Sequence, residues 1–329
     1  MTLALPALVP ALPTHERWFV ESQPAGDWSF FLSPLPLVLT AAVVAVALVW
    51  RAVAMRVDGP ELRLLAPVGR LVPWIPRLLG IHLGVALLAL AATGAFITPS
   101  IDHLEGAGGN ALLLVEGALG IWLVTGWQLR AAAALVLALA PALTVVAGWT
   151  ALGECANLAA VAAFLVVVPP GPDAYGAARP SRAHLRWALL WLRLGVGTAL
   201  IVLAFSEKLT NPAMAIDTLE RYPALDVFAL VGLQVSPETF VAVAGATELL
   251  FGLLVISGAF PQVAVLVAMV PFNATLLLFG QTEMVGHLPV YGVFLALLVY
   301  GSSEETFRSV RWLLGRTARR VEMPVTAAA

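Results

Sequence analysis

Glu283 and His287 stand four residues apart within the stretch Gly280–Gly292, GQTEMVGHLPVYG, the one place in a very apolar chain where acid, imidazole, phenol, three glycines and a proline crowd together. On a continuous helix that spacing puts both side chains on one face. A carboxylate beside an imidazole can tune its proton affinity and exchange protons with a bound carbonyl. Gly286 and Pro289 predict a break here instead, a turn leading into a new helix with Pro289 in its first turn. The pair is then either the polar mouth of a membrane pocket or an interfacial cap. Three readings stay open for His287: proton exchange beside a quinone carbonyl, metal ligation, or a plain interfacial hydrogen bond. A lone E-x-x-x-H pair is a weak metal signal, because three or four protein ligands are the rule. No metal site is assigned.

Further polar residues surround this stretch in sequence order. FSEKLTNP at 205–212 carries Glu207 and Lys208, and Glu248, Asn273, Gln281 and Tyr291 follow. Adjacent helical residues point about 100° apart, so Glu207 and Lys208 share a partner only if the helix ends there, as Asn211–Pro212 suggests. Glu248 falls in mid-span, where a bare carboxylate costs about 2.5–3.5 kcal/mol on insertion scales; such an acid turns inward and is paired. Of the other histidines, His15, His82, His103 and His184, only His82 lies within an expected span.

The elements that position these residues follow from hydropathy. The chain is 60% hydrophobic and 12% charged, with mean hydropathy +0.91 and net charge −2, against about 25% charged in soluble domains. It reads as an all-α integral membrane protein with the lipid bilayer as its partner, and nothing points to nucleic acid. The single cysteine, Cys155, excludes an internal disulfide framework or an iron–sulfur site within the chain. An intrinsic redox cofactor is therefore not expected, and a bound quinone is the candidate.

After an N-terminal segment 1–33 with no basic signal-peptide start, an extra helix is expected over 34–55. Spans at 79–98, 110–127, 131–149, 155–169, 187–206, 239–258, 263–280 and 287–301 make nine in all. Arg51, Arg56, Arg63, Arg70 and Arg77 mark an inside loop, as do Arg179, Arg182 and Arg186, while 99–108 and 207–238 are acidic or mixed. The N-terminus is placed outside and the basic tail 302–329 in the cytoplasm of a bacterial or archaeal inner membrane.

The chain also repeats itself. ELLFGLLVISG from Glu248 lies over EGALGIWLVTG from Glu116 at an offset of 132, which also pairs Gly148 with Gly280; RLGVGTALIV from Arg193 lies over HLGVALLALA from His82 at 111. The difference is an insertion within 211–237. Two parallel four-helix units result, 79–169 and 187–301. At 132, Glu283, Gly286, His287 and Pro289 face Ala151, Glu154, Cys155 and Asn157, so the first unit reads as mostly scaffold. The insertion, with apolar residues at helical spacing over 213–233, reads as an amphipathic helix on the outer surface, a lid over the Glu283/His287 mouth.

The succession LRLGVG, FSEKLTNP, TELLFGLLVISG and GHLPVYGVFLALL resembles the DoxX/DoxD family of bacterial and archaeal membrane proteins over 187–301, and 79–169 resembles it diffusely. The chain departs from that pattern in carrying two units and an extra helix. The resemblance implies four-helix units and, for DoxD-type members, the membrane subunit of a thiosulfate:quinone oxidoreductase; other members accompany respiratory oxidases or thiol-stress complexes. Glu207, Lys208, Glu248 and His287 are the family-like positions. The expected function is a membrane subunit of a quinone-linked oxidoreductase. Quinone would be its ligand, Glu283 and His287 its proton carriers, and Lys208 the attraction for a small anionic, sulfur-containing donor. Alternatives are a non-enzymatic scaffold for a partner subunit or secreted redox protein, and a small-molecule transporter.

Overall fold

A bilayer offers no water to an open backbone, so an apolar chain of this composition closes its hydrogen bonds within helices. The computed structural model describes residues 26–101, 104–168 and 180–312; the segment before residue 26, Asp102, His103, the stretch 169–179 and the tail with Arg316, Arg319 and Arg320 lie outside the described residues. Those described form helices joined by turns, with no strand among them.

After a short α1 (Trp28–Phe31), α2 (Pro34–Ala54) runs largely exposed, as a lipid-facing helix should. The arginine-bearing loop after it is not open chain: 3₁₀ turns over Arg63–Trp74 lead into α3 (Ile75–Thr93) and pack on α14 (Gln281–Ser302). Then come α4 (Gly106–Thr125), α5 (Leu129–Leu137), α6 (Ala140–Ala147), α7 (Ala151–Glu154) and α8 (Ala156–Val167). The second half holds α9 (Arg182–Leu203), α10 (Pro212–Arg221), α11 (Val227–Leu230), α12 (Pro237–Ser257), α13 (Pro261–Phe279), α14 and α15 (Phe307–Val310).

Eight helices among the described residues are long and apolar enough to cross a membrane, one fewer than the nine expected. The difference is α8: its helix begins only after the turn at Cys155, leaving 12 residues. At about 1.5 Å per residue that is roughly 18 Å, short of a bilayer core of about 30 Å. A second departure is larger in consequence. No turn breaks the Gly286–Pro289 stretch; α14 runs unbroken from Gln281 with Pro289 inside it, and the turn falls at Gly280, whose φ is +68°.

The helices close into two rings. α3 packs on α4 and α8, with α5 bridging α4 to α8; α9 packs on α12 and α14, with α13 bridging α12 to α14. The rings meet along α8–α9, α14–α3 and α8–α14, a pattern that is unchanged when first and second rings are exchanged. Small residues make two of these crossings close. A Cβ on Gly84 would sit 2.7 Å from the Gly120 carbonyl oxygen, and one on Gly197 would sit 2.8 Å from that of Gly252.

One end of the bundle is tied by arginines that satisfy terminal helix carbonyls. Arg77 donates to Leu123 O (3.2 Å), Arg130 to Val166 O (3.0 Å), Arg311 to Ala54 O and Val57 O, and Arg193 to Val310 O. Gln262 adds a clamp: it accepts from Leu62 N–H (2.7 Å) and donates to Ser302 Oγ (2.8 Å), while its own N–H donates to Glu61 (2.8 Å).

Burial raises the Glu61 pKa above its ordinary 4.5, against the opposing pull of the Gln262 N–H and the Arg311 charge. The fold thus favours protonated Glu61. Its contribution is complete below the unfolded pKa and is lost as pH rises through the raised folded value. Unfolding followed between about pH 4 and pH 7 should therefore show Glu61→Gln with a flatter fall in stability than the parent. Identical slopes would count against this account of the clamp.

Candidate functional site

The opposite end of the bundle gathers the polar residues. Because α14 is continuous, Glu283 and His287 do share a face: His287 Nδ1 lies 3.3 Å from Glu283 Oε1, and both side chains are buried. The imidazole also stands edge-on to Phe272 of α13, with centroids 4.8 Å apart.

The α9 helix ends in a π-helical turn, Ala204–Leu209. That widened turn resolves the difficulty of adjacent Glu207 and Lys208, since the flexible lysine folds back. Lys208 Nζ lies 3.2 Å from Glu207 Oε2 and 3.2 Å from Glu248 Oε2 on α12. Glu207 is fully buried. The first ring has a counterpart: buried Glu116 on α4 accepts the backbone N–H of Ile97 at 2.9 Å. Ile97 and Lys208 are related by the same offset of 111 found in the first-helix match. Ile97 sits at φ +64°, a conformation a β-branched residue adopts only under constraint, and the carboxyl of Glu116 supplies part of it.

A cavity of about 430 Å³ joins these groups. Lys208, Glu248, Glu283 and His287 all line it, amid mainly apolar residues. Such a volume with a few convergent polar groups is the form of a small-molecule pocket. Glu207 lies behind Lys208. The other three expected residues are satisfied elsewhere: Asn273 is exposed and donates to Met269 O of its own helix (2.6 Å), Gln281 is exposed, and Tyr291 donates to Phe272 O (3.2 Å). His82 hydrogen-bonds Leu78 O within its own helix, at 2.7 Å.

The first ring contributes part of the cavity wall. Glu154, Cys155 and Asn157, at the α7–α8 junction, line the same cavity. Their signal was present in the repeat, which sets Cys155 opposite His287, but two polar turns reach one volume only if the rings pack face to face. Among the described residues no three His, Cys, Asp or Glu side chains converge as a metal site.

The insertion folds as two short helices in place of the single one expected. It forms α10, a 3₁₀ turn at Pro223–Leu225 and α11, capped by Asp226. α10 packs on α12 and buries Met214, Ala215 and Thr218; Ala215, Thr218 and Phe228 line the cavity. It is a wall as well as a cover. No family model, no curated protein and no solved structure matches this chain.

Proposed function

We propose that this multi-pass membrane protein is the membrane subunit of a quinone-linked oxidoreductase, with the quinone head in the cavity and the lid end of the bundle on the outer side. The observation that carries the reading is the confluence of the Glu283–His287 pair and the Lys208–Glu248 pair in one largely apolar volume. Reduction of a quinone takes up two electrons and two protons. Protonated His287 gives one proton to a quinone oxygen and, once reprotonated from the outer side, gives the second to the other oxygen or to the same site after the quinone turns, with Glu283 3.3 Å from its Nδ1. The electrons come from a donor outside this chain. The resemblance to DoxX/DoxD proteins supports the same assignment.

The anionic donor is better placed outside the cavity. Lys208 is held between two carboxylates, and Glu154 and Glu283 add further acids to the lining. A small anion entering here would meet more negative than positive charge. The apolar rim on and beside α11, Val227, Leu230, Val231 and Leu233, all more than half exposed, supports a second reading, a scaffold that docks a partner redox protein there.

The test is quinone content. Protein purified with its native lipid should carry extractable quinone, and His287→Ala should lower its affinity about tenfold, the loss of one hydrogen bond to a charged group, roughly 1.4 kcal/mol. Glu283→Gln, which keeps the side-chain volume, should lower it less. Wild-type protein that neither carries quinone nor reduces it with candidate donors and partners would overturn the assignment and leave the scaffold reading.

A further inference from the structure

The walls of the cavity are unequal. Residues lining it from α3, α9 and α14, such as Leu90, Leu200 and Val290, are buried, whereas Thr247 of α12 and Pro271, Ala274 and Leu278 of α13 are exposed. The opening therefore lies between α12 and α13. These helices are joined by a tight turn at Gly258–Phe260, where Trp50 donates to Ala259 O (2.9 Å). Beyond that turn each packs mainly on other partners, α12 on α9 and α2, α13 on α14, and only sparsely on the other.

The depth of the opening decides what it faces. Thr247 lies about 15 Å along α12 from its lid end and Pro271 about 12 Å along α13 from its own, at about 1.5 Å per residue. Both are well inside a hydrocarbon core of about 30 Å. Above them the lid is fastened to both helices: Tyr222 stands edge-on to Phe279 at the end of α13 (4.9 Å between centroids) and Phe228 to Phe240 at the start of α12 (6.2 Å). The lid thus crosses the outer end of both helices, and the opening between them lies at the depth of the hydrocarbon core.

We infer that the ligand is a membrane-dissolved lipid with a long apolar tail, which enters sideways between α12 and α13 and leaves its tail in that opening while its head reaches Glu283, His287 and Lys208. This rests on the reading of the cavity as a ligand site and adds the class of ligand and its path. The rim fits a hydrocarbon chain, being formed by Pro271, Ala274, Leu278 and the methyl-bearing Thr247. A tail-less polar molecule would gain nothing from it.

The experiment places a photoactivatable benzoyl-phenylalanine at Ala274, at Thr247, or at Leu277, which is 87% exposed on the same helix as Ala274 and serves as the bulk-lipid control. The full chain is reconstituted in phosphatidylcholine vesicles, with and without a long-tailed isoprenoid quinone. The expected result is lipid adducts at all three positions, with added quinone replacing most of the phospholipid adduct at 274 and 247 but leaving 277 unchanged; His287→Ala should weaken that replacement. Phospholipid adducts at 274 and 247 that quinone does not displace would uphold the lateral opening and overturn the quinone assignment. Labelling at 277 with no lipid adduct at either 274 or 247 would overturn the inference.

Discussion

Replacing Lys208 with methionine is expected to destabilise the protein by about 3 kcal/mol, the low end of the 3–5 kcal/mol that removing one partner of a buried ion pair costs. The reason lies in what it leaves behind. Glu207 is fully buried and Glu248 is 20% exposed, and Lys208 stands 3.2 Å from each. Without that cation the two carboxylates lose the charge between them in a region of low dielectric, and one must take up a proton or draw water from the cavity. The low end is chosen because Lys208 itself is 18% exposed to that cavity, so part of its charge is already screened. Neutralising the acids as well, in Lys208→Met with Glu207→Gln and Glu248→Gln, should recover most of the loss, because a buried charge cluster exchanged for a neutral one of similar volume is often close to neutral in stability. Unfolding in mixed detergent micelles measures both. A single variant within about 1 kcal/mol of the parent would show that the lysine is not what holds these acids, since exposed pairs contribute no more than that.

How far this centre is legible in the chain differs residue by residue. The membrane class is forced by composition, because lipid leaves the backbone no alternative to helices. The same force explains the misplaced break. In water, Gly286 and Pro289 favour a turn, but within a bundle neighbouring helices cover the freed backbone groups and α14 continues through both. The i, i+4 spacing of Glu283 and His287 gives a shared face only on a continuous helix, so the expected break hid a geometry that the spacing itself contains. The Lys208 arrangement was not, because a π-helical turn has no compositional signature and adjacent residues on an α-helix diverge. Asn273, Gln281 and Tyr291 were as polar on paper as the residues that line the cavity. What separates them is an internal backbone acceptor within reach in two cases and simple exposure in the third. Glu154 and Asn157 show the converse: whether a turn in one ring reaches the cavity of the other depends on the α8–α9 and α8–α14 seams, and no local pattern encodes those.

The α8–α9 seam can be tested at Gly195. A Cβ added there would meet the Ala160 Cβ and lie 2.5 Å from the Ala156 carbonyl oxygen. The first obstacle is a side chain and the second is backbone, which cannot rotate away. Gly195→Ala should therefore cost about 1–3 kcal/mol as an overpacking substitution, although alanine is the better helix former. Gly117→Ala on α4 is the matched control, because its nearest neighbour would be the Ala91 Cβ at 3.4 Å, an ordinary contact; it should gain about 0.5–1 kcal/mol. Adding Ala160→Gly to Gly195→Ala removes the side-chain clash but leaves the carbonyl, so the double variant should recover only part of the loss, and a double-mutant cycle reads that remainder directly. The seam also carries Glu154 and Asn157 toward the cavity that holds His287. If the helices part to admit the new methyl group, ligand affinity should fall in Gly195→Ala and stay unchanged in Gly117→Ala. A Gly195→Ala protein as stable as its parent and with unaltered affinity would mean that α8 and α9 need not cross this closely for the two rings to share a site.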